Sequence, residues 1–225
     1  MSETQFEKLE RRLGYRFNHP ALLRQALSHR SFAKENNERL EFLGDAILNA
    51  SISQQLYDKF PTASEGQLSR LRANLVKGEM LAQLALELDI GSALLLGQGE
   101  LKSGGHRRHS ILADAVEAII AAIYLDKNLI TAQEKILEWF RPRMDKLSIE
   151  NVQKDPKSNL QEWLQARQLP LPEYHLVETT GKEHDQEFIV HCHIANLKDP
   201  VIGTEKSRRK AEQKAAKQAL EVLLR

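Results

Sequence analysis

One stretch of the sequence, residues 110–125, is apolar on nearly every side and yet carries two carboxylates. Asp114 and Glu117 lie three positions apart, so they share one face of a helix, and every other residue from 111 to 123 is apolar. A helix of this composition belongs in a protein core. No lysine or arginine lies within 111–123 to neutralise the two acids. Because a buried ionised carboxylate is strongly destabilising unless it is paired or binds a cation, the fold must bring a compensating group to this helix.

A second acidic stretch, residues 37–49, suggests what that compensating group is. Glu38, Glu41 and Asp45 follow the spacing i, i+3 and i+7, which places them within an arc of about 60° on a helix. All-oxygen ligands suit Mg²⁺ or Mn²⁺ rather than zinc, and such an ion is commonly used to hydrolyse a phosphodiester. The hypothesis is that four acids on the two helices converge on one hard cation. These acids are Glu41, Asp45, Asp114 and Glu117.

The spacing of these acids is also compatible with structural roles. Acidic residues on helices usually form a solvated face, and an acid can instead cap a neighbouring helix. Glu65 would sit in a first helical turn, where spacing gives it only this structural role. A metal site and a structural role therefore remain alternatives at this point.

The chain divides by composition into two parts. Residues 1–147 show helical spacing and no alternation of β-branched residues, which predicts an all-α domain. Residues 148–154 are polar and predict a linker. Residues 155–225 follow the order α-β-β-β-α, which predicts a small α+β domain. After two short N-terminal helices, the predicted helices are 37–59, 64–87, 109–126, 131–146, 158–168 and 206–224, with a glycine-rich loop at 97–105 and strands at 174–180, 187–195 and 200–205.

Cysteine content and hydropathy exclude several classes of protein. The one cysteine, Cys192, rules out an internal disulfide and a cysteine-based zinc site, and it suits a reducing compartment. The longest uncharged apolar run, residues 118–125, is far too short to span a bilayer. We therefore expect a cytoplasmic protein that uses no membrane and no small-molecule cofactor.

Positive charge is concentrated near the end of a chain whose net charge is only +1. Residues 206–217 hold six basic residues and one acid, Glu212. The basic residues at 208–210 begin a predicted helix, where cations oppose the helix dipole. A phosphate backbone would stabilise them and would also accept hydrogen bonds from the free backbone N–H groups there. The alternative is an ordinary solvated helix rich in lysine.

The histidines of the second part are less informative. His184 lies in the loop between two predicted strands and could reach a nucleic-acid groove, although a lone loop histidine is more often just exposed. His191 and His193 alternate around Cys192, so they share one face of a strand. Because no third ligand lies near them in sequence, we expect them to be structural or exposed rather than metal ligands.

Three blocks of the sequence resemble the ribonuclease III family. NERLEFLGDA at residues 37–46 looks like the family's highly specific signature, and residues 103–126 resemble its second acidic helix. Residues 155–225 look like a double-stranded RNA-binding domain. One nuclease domain followed by one RNA-binding domain is similar to the bacterial form of the family.

This resemblance implies a homodimeric endoribonuclease that uses Mg²⁺, or Mn²⁺ in its place, to hydrolyse both strands of double-stranded RNA. The products would carry 5′-phosphates and 3′-hydroxyls with short 3′ overhangs. The expected substrates are ribosomal RNA precursors and some messenger and transfer RNA transcripts. By resemblance, the metal-binding acids are Glu41, Asp45, Asp114 and Glu117. The positions usually called catalytic are Asp45 and Glu117. The resemblance also implies two additional acids near the scissile strand, Glu38 and Glu65.

The resemblance also implies how the second domain binds RNA. Gln161 and Glu162 match minor-groove contacts of the first helix, and His184 matches a loop that enters the next minor groove. The start of the last helix matches a phosphate-binding segment, formed here by Ser207, Arg208, Arg209 and Lys210. Glu212 departs from the usual lysine, which is expected to weaken backbone affinity or to shift that contact to Lys214. Recognition would rest mainly on A-form shape over about 16 base pairs.

Two rival functions follow from the same residues. A non-catalytic double-stranded RNA-binding protein would bind duplexes without cutting them in Mg²⁺. The chain retains all six acids of the family pattern, which favours an enzyme. A metal phosphohydrolase acting on small nucleotides would leave residues 155–225 without a role.

Overall fold

A computed structural model of the chain describes residues 4–148, 156–181 and 186–224. The chain divides into two compact units, residues 1–152 and 153–225. The predicted linker at 148–154 lies outside the described residues except for its first position, and so does His184. In the parts of the chain that are described, no helix is both long and apolar enough to cross a bilayer.

The first unit is helical, as the sequence predicts. Its α-helices are α1 Gln5–Leu13, α2 Pro20–Ala26, α3 Glu38–Lys59, α4 Glu65–Val76, α5 Gly78–Glu87, α6 Gln98–Lys102, α7 His109–Asp126 and α8 Leu129–Met144. Short 3₁₀ turns follow α5 and α6. The first helix ends at Gly14, whose φ of 65° is the left-handed conformation that glycine adopts without strain.

Two details of the predicted helices are wrong. The single helix expected at 64–87 is two helices, because Lys77 adopts an extended conformation with ψ of 146° and caps the start of α5. The expected loop at 97–105 contains the short helix α6, which begins directly after Gly97. In both places the local glycine marks a helix boundary rather than an irregular segment.

Helix α7 is the centre of the first unit, which confirms the burial predicted from its composition. It is buried on almost every side and packs against α2, α3, α5 and α8. Its contact with α3 is very close at Gly44, where a Cβ atom would collide with the main-chain carbonyl oxygen of Glu117. A glycine at this position therefore lets the two acidic helices approach each other.

The end of α7 is fixed by a buried carboxylate, Asp126. Its oxygens accept hydrogen bonds from the Tyr15 hydroxyl at 2.7 Å and from the main-chain N–H groups of Asn18 and His19 at 2.9 and 2.8 Å. Burial alone would raise the pKa of Asp126, but these donors outweigh it and hold the pKa at about 2. The ionised Asp126 thus ties the segment between α1 and α2 to the central helix.

The second unit has the predicted α-β-β-β-α order. Its elements are α9 Pro156–Gln165, β1 Glu173–Thr180, β2 Glu187–His193, β3 Val201–Glu205 and α10 Arg208–Leu223. The strands form one antiparallel sheet in the order β1-β2-β3. Helix α10 packs on β2, β3 and α9, and the core between them includes Leu160, Cys192 and Ala215. One face of the sheet is therefore covered by helices.

Candidate active site

Three of the predicted acids come together where α3 crosses α7. Glu41 of α3 and Asp114 and Glu117 of α7 each present a carboxylate oxygen, and these oxygens all lie within 4.8 Å of one another. The three side chains are partly buried. The close α3–α7 contact at Gly44 positions them, because Gly44 lies one helical turn after Glu41 and against Glu117 itself.

Burial and mutual repulsion disfavour negative charge in this acidic cluster of Glu41, Asp114 and Glu117. Burial above all, and then the charges of Asp45, Glu41 and Asp114, raise the pKa of Glu117 to about 8. The pKa of Glu41 is raised by burial and then by Asp114 and its other acidic neighbours. Such a set of oxygen donors fits a divalent cation, which would relieve the repulsion and favour the ionised acids.

Asp45 lies beside this cluster rather than within it. Its side chain is exposed, and its Oδ1 accepts a hydrogen bond of 2.7 Å from Nδ2 of Asn49, one turn further along α3. Among the charged neighbours of Glu117, however, Asp45 has the largest effect on the pKa of that residue. The fourth predicted metal ligand is thus close to the cluster but turned toward its own helix.

Glu38 lies on the rim of the same site. It shares with Glu41 and Asp114 a polar cavity of about 470 Å³. Its carboxylate accepts a hydrogen bond of 3.0 Å from Asn36 and lies 3.7 Å from Arg30. An acid in this position faces the cavity without joining the three converging carboxylates.

Cationic groups at this cavity were not predicted from the sequence. Burial raises the pKa of Asp114, and the charges of His29 and Arg30 act against that rise. Arg108 lines the cavity from the segment before α7 and forms an ion pair of 2.7 Å with Glu100. These residues come from loops and short turns, where helical spacing gives no signal, so only tertiary packing shows that they face the acids.

Glu65 lies in another recess of the first unit. It begins α4, accepts a hydrogen bond of 2.7 Å from the Ser69 hydroxyl, and lines a largely apolar cavity of about 580 Å³ together with Tyr57 and Leu68. Its spacing-based role in a first helical turn agrees with this position. The structure places Glu65 in a different cavity from Glu41 and Asp114.

The predicted phosphate-binding segment forms the start of α10. Ser207 caps the helix by accepting a hydrogen bond of 3.3 Å from the main-chain N–H of Lys210. Arg208, Arg209 and Lys210 are exposed in the first turn, which has no acidic residue. On α9, Gln161 and Glu162 are also exposed. This helix start therefore presents several positive charges at the end of a helix dipole that is itself positive.

Glu212 has a structural position that the sequence does not reveal. Its carboxylate is mostly buried and contacts Lys157 at 2.7 Å and Arg208 at 3.0 Å. Burial would raise the pKa of Glu212, but these two cations lower it below its ordinary value. Lys214, the alternative phosphate ligand, instead donates to the carbonyl oxygen of Thr204 at 3.1 Å. Glu212 thus links α9 to the first turn of α10.

Two family models match the chain, one for each unit. The model described as Ribonuclease-III-like matches residues 19–144, and the model described as Double-stranded RNA binding motif matches residues 156–223. The first match includes the acidic cluster together with Asp45, Glu38 and Glu65. The second includes the whole basic start of α10.

Two solved structures are similar to the first unit. Both are nuclease domains of ribonuclease III from Campylobacter jejuni. One is 43% identical over 63% of this chain and 99% of that chain, with a TM-score of 0.61. That structure describes structural flexibility in a region of the Campylobacter jejuni domain that is involved in dimer formation. The other is 41% identical over 65% of this chain and 100% of that chain, with a TM-score of 0.62.

Proposed function

Because the chain belongs to the ribonuclease III family and is an endoribonuclease with a double-stranded RNA-binding domain, we propose that it cleaves both strands of duplex RNA in a reaction that depends on Mg²⁺. The observation that carries this proposal is the convergence of Glu41, Asp114 and Glu117. Oxygen donors without a cysteine or histidine among them suit Mg²⁺, and Mn²⁺ would substitute for it.

We assign the acids of the first unit separate roles. Glu41, Asp114 and Glu117 would hold the ion, and Asp45 would complete the set by turning away from Asn49. Asp45 and Glu117 would also orient the attacking water. The ion would supply charge neutralisation at the phosphate and a water of lowered pKa. Glu38, on the rim of the cavity, would act on the RNA strand next to the scissile phosphate.

Hydrolysis of this kind needs no nucleophile from the protein. Water attacks phosphorus in line with the leaving 3′-oxygen, so the products would carry a 5′-phosphate and a 3′-hydroxyl. Arg30 and Arg108, which line the cavity, are suitably placed to attract the RNA phosphates toward the acids. Short 3′ overhangs would follow from two active sites that cut opposite strands a few base pairs apart.

Two active sites require two copies of the chain, and the surface of α3 supports a homodimer. Phe42, next to Glu41 in the chain, is 82% exposed, and Tyr57 on the same helix is 70% exposed. Large exposed apolar side chains of this kind are typical of interfaces. We propose that Phe42 packs on the partner subunit. Glu65, which lines a separate recess in its own chain, would contribute to cleavage through this dimer.

The second unit would provide most of the affinity for RNA. Arg208, Arg209 and Lys210 would contact phosphates, with Ser207 holding the helix start in place. Gln161 and Glu162 would contact a minor groove, and His184 would contact the next one. Binding of this type follows duplex shape and is weakened by salt.

The proposed cellular role follows from family membership. The substrates would be duplex segments of ribosomal RNA precursors and of some messenger and transfer RNA transcripts. We place the enzyme in the cytoplasm, and its single, buried, free cysteine is consistent with a reducing compartment.

The test is to incubate the purified chain with an RNA duplex of a few tens of base pairs, labelled on each strand in turn, with and without Mg²⁺. We expect cuts on both strands only with Mg²⁺, offset by a short 3′ overhang. End analysis should find 5′-phosphates and 3′-hydroxyls. A duplex that is bound but uncut in Mg²⁺ would contradict the proposal and favour a non-catalytic RNA-binding protein.

A further inference from the structure

Three histidines of the second unit lie together on the sheet face that the helices leave open. His191 and His193 alternate with Cys192, which is buried in the core with α10, so both histidines point to the opposite face. His175 of β1 is directly opposite His191 in the strand register. Antiparallel pairing therefore brings a third histidine to this face. His175 lies too far from His191 and His193 in the sequence for residue spacing to predict that the three are neighbours.

Two pairs of these imidazole rings have a spacing close to that of metal ligands. A metal–nitrogen distance of about 2 Å and tetrahedral angles put the centroids of two ligating rings roughly 5 Å apart. The rings of His175 and His193 have centroids 5.2 Å apart, and those of His191 and His193 are 6.3 Å apart. The first distance already matches this geometry, and the second would have to shorten by about 1 Å.

A carboxylate completes the set on the same face. Glu173 is two residues before His175 and directly opposite His193 in the register. Its Oε2 lies 3.4 Å from Nε2 of His175. The adjacent cross-strand pairs Glu173–His193 and His175–His191 thus place one glutamate and three histidines next to one another on the open face.

We propose that His175, His191 and His193 form a surface site for a divalent transition-metal ion, Zn²⁺ above all, with Glu173 as the fourth ligand. Imidazole nitrogen suits Zn²⁺ and its neighbours in the transition series, whereas Mg²⁺ prefers oxygen. This site is therefore chemically distinct from the acidic cluster of the first unit and takes a different metal.

The imidazoles need to turn for all the nitrogens to face one ion. Among the residues that the structure describes, three or more ligand atoms already within 4.8 Å of one another occur only in the acidic cluster. The side chain of His175 is 59% exposed, and His193 is exposed as well. Exposed rings change rotamer readily, while the paired strands fix the backbone positions that set the ligand spacing.

The position of the site predicts what metal binding does and does not affect. The histidines lie on the open face of the sheet, and α10 packs on the other face. An ion there would link β1 to β2 and stabilise the second unit. It would leave the basic start of α10 accessible to RNA.

The experiment measures Zn²⁺ binding to the full chain by calorimetry, in excess Mg²⁺ so that the acidic cluster is filled. Wild-type protein should bind one Zn²⁺ per chain at this site. His193→Asn and His175→Asn should each weaken Zn²⁺ binding by at least about 10–100-fold, which is the usual effect of losing a residue that only supports a metal ligand. The matched control is His109→Asn, which removes an exposed histidine of the first unit and should leave the affinity unchanged.

Histidine ring resonances in the NMR spectrum provide a second measurement that needs no variant. Zn²⁺ should shift the ring signals of His175, His191 and His193 together and at the same concentration. Duplex-RNA binding by the two site variants should stay within twofold of wild type. Equal Zn²⁺ affinity in all variants, or shifts spread over unrelated histidines, would overturn the proposal without affecting the proposed nuclease activity.

Discussion

Gly44 of α3 lies directly against the main-chain carbonyl of Glu117 on α7, with no room for a side chain between the two helices. This one contact sets the distance between the acids of α3 and those of α7. A bulkier residue would push the helices apart, and the carboxylates of Glu41 and Glu117 would separate with them. The packing of the core and the geometry of the candidate metal site therefore depend on the same residue.

Gly44→Ala should accordingly reduce both stability and cleavage. Because the clash is with main chain, which cannot rotate away, we expect a loss of about 1–3 kcal/mol in the free energy of unfolding, as for other overpacked cores. Urea unfolding and duplex cleavage at a temperature where the variant is folded would measure the two effects.

Gly99→Ala is the matched control for this substitution. A Cβ at Gly99, which lies within α6, meets nothing within 4 Å. Its unfolding free energy and cleavage rate should match those of the wild type or increase slightly, since alanine favours a helix. Equal behaviour of Gly44→Ala and Gly99→Ala would show that the α3–α7 contact does not control the site.

Glu117→Gln should separate cleavage from RNA binding. The substitution keeps the shape of the side chain but removes a carboxylate that would bind the ion, so metal binding and water activation fail together. We expect cleavage in Mg²⁺ to fall at least about 100-fold, the scale on which precisely placed charged groups act in catalysis. Affinity for a duplex, measured by filter binding in Ca²⁺ or without metal, should stay the same.

The control for that variant is Glu134→Gln, the same chemical change at an exposed position of α8. It should cleave at the wild-type rate. A loss of RNA affinity in Glu117→Gln as large as its loss of cleavage would argue against a separate metal-binding role for Glu117.

Mg²⁺ binding should depend on pH through Glu117. Without metal, burial and acidic neighbours raise the pKa of this carboxyl to about 8, so it is largely protonated at neutral pH. The ion binds the deprotonated form, and Mg²⁺ affinity should therefore rise between about pH 6 and pH 9 and level off above that range. Calorimetry in buffers of different ionisation enthalpy would detect the proton that is released.

In Glu117→Gln this proton release should disappear. Any remaining Mg²⁺ binding would then depend less on pH, since the pKa values of Glu41 and Asp114 are raised less than that of Glu117. An unchanged proton release in the variant would assign the titrating group to another residue.

The sequence contains the acids of the site but not their arrangement. Apolar neighbours on all sides of Asp114 and Glu117 predict burial because that pattern belongs to one helix. The inward turn of Glu41 and the outward turn of Asp45 depend on how α3 crosses α7, which no spacing reveals. Arg30 reaches the cavity from a loop, where helical periodicity predicts nothing about the direction of a side chain.

The same limit explains the helix boundaries and the histidines. Lys77 breaks the predicted helix by its backbone conformation alone, next to Gly78, the one residue there that signals a boundary. His175 meets His191 only because strand register places them opposite, and this register shifts at a bulge between Leu176 and Glu178. Contacts between separate elements decide these features.

Arg208→Ala should weaken binding to duplex RNA and flatten its dependence on salt. Each phosphate contact that is lost should lower the slope of log affinity against log salt concentration by about one. Lys217→Ala is the control, since Lys217 is also exposed but lies more than two turns from the helix start. An unchanged slope in Arg208→Ala would contradict a phosphate contact at this residue.

Asp126→Asn should destabilise the first unit in a way that depends on pH. The donors around Asp126 hold its pKa at about 2, below the ordinary value of 3.8, so the ionised carboxylate stabilises the fold above about pH 4 and this contribution is lost as the pH falls through 2. The shift corresponds to about 2 kcal/mol at neutral pH. Urea unfolding should show a loss of this size for Asp126→Asn at pH 7 and a smaller one at pH 3. Asp58→Asn, at an exposed position of α3, should show neither effect. The stability difference between Asp126→Asn and wild type could instead stay constant from pH 7 to pH 3. That result would mean that the charge of Asp126 is not what stabilises this end of α7.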